Sequence, residues 1–187
     1  RLTIFMAASF ALLFLAEGSA LIEKGGLGHD EGWHAETAIA LVSPDSAVPI
    51  SFWSAMPWMR DTYNGALKTY ILYFPFRLFG VGVMTLRGTT LVLGALSVFF
   101  LVLLIERLYG AYLGILFGLF FATDPALILA ACFDTGPAIL TVLLKICGFW
   151  FLAQWWYGRK KDSWLFAAGL MFGLGLSDKA HFLWFLF

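Results

Sequence analysis

Five stretches of this chain, Leu2 to Ile22, Leu86 to Leu108, Ala111 to Ala131, Pro137 to Tyr157 and Trp164 to Leu176, are runs of mainly apolar side chains. A helix needs roughly 20 such residues to cross about 30 Å of hydrocarbon, and no soluble domain has a core that would hide five of them. Composition agrees, because 61% of the residues are hydrophobic and the mean hydropathy is +0.85, whereas ordinary soluble domains are about half apolar. The predicted fold class is all-α, a polytopic transmembrane helix bundle. Leu2 to Leu15 has the length of a signal-peptide core, but no small-residue cleavage site followed by a soluble domain accompanies it, so it reads as the first crossing. A further run begins at Phe182 and stops at Phe187, too short to cross. With Arg1 at the start, residues 1–187 read as the N-terminal part of one longer membrane domain.

Between the first two crossings lies a long connection, Glu23 to Met84, that is polar up to Lys68 and then aromatic from Tyr70 to Phe79, broken by Pro75 and Arg77. That aromatic segment is too short to span and is expected as a short interfacial helix, where Tyr and Phe are at home. The connection Gly158-Arg159-Lys160-Lys161-Asp162 is the densest short basic loop, and such loops stay cytoplasmic. Alternation then places Glu106 to Gly110 inside and the long first loop, Cys132 to Gly136 and Ser177 to His181 outside. The polar residues Asp30, Glu31, Asp134, Lys179 and His181 are thereby gathered on one membrane face.

Several function classes lose support. The 12 basic and 12 acidic residues cancel, so nothing in the charge balance suggests a nucleic-acid partner. Cys132 and Cys147 lie in or beside apolar runs and do not form a disulfide framework. There is no P-loop, dinucleotide fingerprint, paired metal-ligand helix or Gly-x-Ser-x-Gly elbow.

Gly28-His29-Asp30-Glu31-Gly32-Trp33-His34 brings two adjacent carboxylates and two imidazoles to the bilayer boundary, and a solvated loop is the plain reading of the same residues. Asp134-Thr135-Gly136-Pro137 reads as a helix start, with Asp capping free amides and Pro suited to the first turn. Lys179 and His181 stand at headgroup level, where a lysine also snorkels for purely structural reasons. Lys145, near the middle of a crossing, calls for a partner in the bundle interior such as Glu17.

In order along the chain, these features resemble the GT-C membrane glycosyltransferases, in particular the protein O-mannosyltransferase and aminoarabinose transferase branch. The resemblance rests on one helix, an outer loop opening on Asp30-Glu31, an aromatic segment ending Leu78-Phe79-Gly80, and Arg87 leading into the next helix. It extends through Arg107-Leu108-Tyr109-Gly110, Phe121-Ala122-Thr123-Asp124-Pro125, Asp134-Thr135-Gly136-Pro137 and Gly175-Leu176-Ser177-Asp178-Lys179. Where relatives often have Pro-Pro-Leu-x-Tyr, this chain has Gly65-Ala66-Leu67-Lys68-Thr69-Tyr70.

The resemblance implies a polyprenyl-phosphate sugar as donor, drawn from the membrane lipids, and an acceptor approaching from the outer face. It implies Asp30 as general base with Glu31 beside it as the catalytic carboxylates. Lys179, His181 and Arg87 are then the residues to receive the phosphate, and Asp134 orients acceptor or sugar or joins Glu31 in holding a divalent cation. The expected location is a bacterial inner membrane with the site facing the periplasm. A non-catalytic, transferase-like subunit bound to protein partners in a larger membrane complex is the alternative. A transporter is the third reading, resting on Lys145 and Pro125 near the midplane.

Overall fold

In lipid, a single-chain segment is viable only if its backbone polar groups bond within it, which is the property of the α-helix. The computed structural model describes residues 2–43, 64–133, 136–158 and 160–185, the side chains of Asp30, His181, Trp184 and Phe185 excepted. Among the described residues the chain is all helix, with α1 Leu2–Ser19, α2 His29–Val42, α3 Leu67–Phe79, α4 Val83–Tyr109, α5 Ala111–Ala122, α6 Pro125–Cys132, α7 Ala138–Tyr157 and α8 Asp162–Asp178, then a 3₁₀ turn, Ala180–Phe185. Three of these, α1, α4 and α7, are long and apolar enough to cross a membrane alone. The protein is an integral membrane protein.

Where one span was expected over 111–131, α5 and α6 meet at 54°. Asp124 caps α6, its carboxylate accepting from the amides of Ala126 at 2.7 Å and Leu127 at 3.3 Å, and Pro125 occupies the first turn. Pro has no N–H to continue α5 and its ring crowds the preceding turn. Capping by an Asp-Pro pair is thus realised at Asp124, inside an apolar run.

The central element is α4, 27 residues and about 40 Å long, which packs against α1, α5 and α6 on one side and α7 on another, with α8 behind α7. Phe10, Phe14, Leu91, Val98 and Ile128 fill the first contact, and Leu104, Ile146 and Ala153 the second. Glycines let the backbones approach, the usual device where apolar burial cannot drive helices together. A Cβ on Gly148 would stand 2.5 Å from the Phe172 ring, and one on Gly114 would stand 2.9 Å from the Val102 carbonyl oxygen. Large apolar side chains also cover the outward faces, among them Phe5, Leu12, Leu96, Phe120 and Phe166; in water such a surface would aggregate.

Alternating direction sorts the connections into two ends. Gly110, Gly158, Lys160 and Lys161 lie at a basic end. At the opposite, polar end lie the C-termini of α1 and α8, the N-termini of α4 and α7, and the two short helices α2 and α3. Ala35, Ala38, Leu72, Phe76 and Leu86 seat α2 and α3 on the start of α4.

Candidate functional site at the polar end

Arg87 sits in the first turns of α4 and is completely buried. A buried guanidinium is tolerable only if its five N–H groups are satisfied, and all five are. Nε donates to Glu31 Oε1 at 2.7 Å and Nη2 to Glu31 Oε2 at 2.9 Å, a two-pronged carboxylate contact. Nη2 also donates to the Gly26 carbonyl at 2.9 Å, while Nη1 donates to those of Ile22 at 2.8 Å and Lys24 at 3.3 Å. One side chain thereby ties the exit of α1, the turn 22–26 and the start of α2 to α4. Its guanidinium also lies 5.2 Å from the centroid of the Phe133 ring, immediately before Asp134.

Glu31 is buried and accepts a third bond from the Gly28 amide at 2.6 Å. That amide heads α2, and a side chain reaching back from the first turn is a standard way to satisfy it. Glu31 and Arg87, both expected to meet substrate, therefore hold each other and the backbone. Asp30 is the second residue of α2, so this anchor fixes its backbone, although its side chain lies outside the described residues.

A second polar cluster joins the same end. Lys68 is buried in the first turn of α3, where a cation is poorly placed relative to the helix dipole. Its ammonium donates to the Gly136 carbonyl at 2.6 Å. Gly136 has φ +71° and lies against His34, whose Nε2 would be 3.2 Å from a Cβ added there. The Lys68 amide donates to Asp178 Oδ1 at 3.3 Å, and the Gly65 amide donates to the Asp178 carbonyl at 2.6 Å. Asn64 forms an antiparallel bridge with Lys179. Burial pushes the Asp178 carboxyl up to about 6, against the opposing pull of the Lys68 amide and the charges of Lys68 and Lys179, and its Oδ2 has no hydrogen-bond partner.

Lys179 caps α8, its N–H bonded to the Gly175 carbonyl, and is half-buried. His181 follows in the 3₁₀ turn, its side chain outside the described residues. Asp134 lies outside the described residues, while its neighbours Phe133 and Gly136 are held by Arg87 and Lys68. The structure thus joins Glu31 to Arg87. Lys68, His34, Asn64 and Asp178 were missed as site residues. The one signal for Lys68 was a charge in the first turn of a mainly apolar helix. Among the described residues no three His, Cys, Asp or Glu side chains converge as a metal site.

An apolar groove of about 560 Å³ runs between α3 and α4, lined by Ile71, Pro75, Phe79, Thr85, Thr89 and Val92. It follows the same turns of α4 that carry Arg87.

Residues 65–187 match the dolichyl-phosphate-mannose-protein mannosyltransferase family, which takes in α3 to α8 and both halves of the Lys68–Asp178 contact. The fold and this match define a membrane glycosyltransferase of the GT-C type. The chain belongs to that mannosyltransferase family, which implies a lipid-linked sugar donor. No curated protein and no solved structure matches the chain.

Proposed function

We propose that this chain is the N-terminal helical part of an inverting glycosyltransferase that moves a sugar from a polyprenyl phosphate to an acceptor hydroxyl at the polar end. The observation that carries the reading is the Glu31–Arg87 anchor, which fixes the backbone beside Asp30 at the same end as Lys68, Lys179 and the α3–α4 groove. Asp30 takes the proton of the acceptor hydroxyl as that oxygen attacks the anomeric carbon. The bond from that carbon to the phosphate oxygen breaks, and negative charge collects on the departing polyprenyl phosphate. Lys179 and His181 are the side chains assigned to that charge, with Asp134 assigned to the acceptor or sugar. Arg87, with every N–H engaged, is a positioning residue, and Glu31 is its anchor. The α3–α4 groove suits the isoprenoid chain, being apolar and adjacent to the polar end.

The test is transfer of labelled sugar from synthetic polyprenyl-phosphate mannose by the purified full-length protein. Asp30→Asn is expected to lower turnover by about 10²- to 10⁴-fold, the range general base catalysis contributes, while its thermal melting stays that of the wild type. Undiminished transfer by Asp30→Asn would remove Asp30 from the mechanism.

A further inference from the structure

At the end opposite the candidate site, α4 and α7 line a second apolar groove of about 280 Å³, formed by Leu104, Leu108, Phe149, Leu152, Trp156 and Tyr157. It lies within two membrane-crossing helices, so it is reached from the bilayer. Trp156 and Tyr157, which line it, are exposed, as is Tyr109 next to groove-lining Leu108, and such side chains settle at headgroup level.

The same level is cationic. Arg107, one residue before groove-lining Leu108, reaches across to the end of α7, where a Cβ on Gly158 would stand 3.6 Å from its Nη2. Lys160 lies over the Trp155 ring at 5.8 Å, and exposed Lys161 precedes α8. The nearby acids are Glu106 and Asp162. An apolar slot with Arg107 beside it, followed by Lys160 and Lys161 in the connection that leaves α7, matches one molecule with an acyl chain and a negative headgroup.

We propose that this groove binds an anionic phospholipid of the adjoining leaflet, with an acyl chain between α4 and α7 and its phosphate against Arg107, Lys160 and Lys161. The site is separate from the transfer chemistry, so it stands whether or not Asp30 is the base. The bound lipid fills the groove between α4 and α7, the pair that also forms the Leu104–Ile146–Ala153 contact.

The full-length protein is titrated with phosphatidylglycerol and with phosphatidylcholine and the bound lipid counted by native mass spectrometry. Phosphatidylglycerol is expected to bind more tightly. Arg107→Gln should weaken phosphatidylglycerol by ~5-fold, the effect of one cation near an anionic surface, leave phosphatidylcholine unchanged, and be rescued by Arg107→Lys. Brominated phosphatidylglycerol should quench wild-type fluorescence more than that of Trp156→Phe. Equal retention of the two lipids, or equal quenching of the two proteins, overturns the proposal; both are the results if another helix or a second copy of the chain fills the groove.

Discussion

At the residue scale, the two buried charges that matter are stabilised in opposite ways. Arg87 has a complete set of acceptors, so loss of the Glu31 carboxylate removes two of its hydrogen bonds and a buried partner charge, at a cost of roughly 3–5 kcal/mol. Glu31→Ala is accordingly expected to lower the unfolding free energy by about that amount. Glu31→Gln keeps the shape, loses the charge, and should fall between the two when thermal melts in detergent are compared. Transfer by both variants should decline with the population of ordered α2. A melt unchanged in Glu31→Ala would show that Arg87 finds other acceptors.

Asp178, by contrast, is a buried carboxylate with one satisfied oxygen, and its stability consequence runs the other way from the usual salt-bridged acid. Its ordinary value of 3.8 is raised to about 6 in the folded protein, so between those values the folded state binds the proton more tightly than the unfolded one. Stability is then greatest below about pH 4 as far as this group is concerned, and is lost as pH rises through 6, by about 3 kcal/mol in total. Wild type should therefore melt lower at pH 7 than at pH 5. Asp178→Asn, which keeps an acceptor for the Lys68 amide, should lose most of that slope. Parallel slopes for the two proteins would mean that the carboxyl is hydrated rather than sealed.

At the scale of the element, the junction between α3 and α8 leaves no place for a proline at position 65. Gly65 donates its amide to the Asp178 carbonyl, which proline cannot do. A Cβ at Gly65 would also stand 2.1 Å from the Ser177 carbonyl oxygen and 2.8 Å from Asp178 Cα. The atoms met are backbone, which cannot swing aside as a side chain can, so Gly65→Ala should cost about 1–3 kcal/mol and impair transfer even where the protein still folds. A melt and a turnover both equal to wild type would show that α8 and α3 slide apart freely. Nothing near Gly65 in the sequence pointed to Asp178, more than a hundred positions away. The long crossings were legible because each is set by its own apolar content. The break at Thr123–Asp124 was overlooked although Asp-Pro marks it, because hydropathy averages across one polar residue. The Glu31–Arg87 and Lys68–Gly136 contacts were not legible, since the pairing of buried charges depends on which helix ends meet.

At the scale of the whole molecule, the two-ended arrangement makes a prediction about sidedness that does not depend on any catalytic assignment. Leu27, at the polar end, is exposed, as are Tyr112 and Lys161 at the basic end. Both native cysteines are buried, so a single introduced cysteine will dominate labelling by a membrane-impermeant maleimide. Leu27→Cys should react in intact cells, while Tyr112→Cys and Lys161→Cys should react only after permeabilisation, because short basic connections are retained on the cytoplasmic side. Tyr112 and Lys161 sharing one side is a consequence of α5 with α6 and α7 together returning the chain to its starting face. Their appearance on opposite sides would mean that the bent α5–α6 pair fails to cross and would detach α7 from α4. If they share a side but that side is external, the bundle stands as described, whereas the polar end faces the cytoplasm. A lipid-linked sugar donor would then have to be presented from the inner leaflet, and the acceptor sought among cytoplasmic molecules.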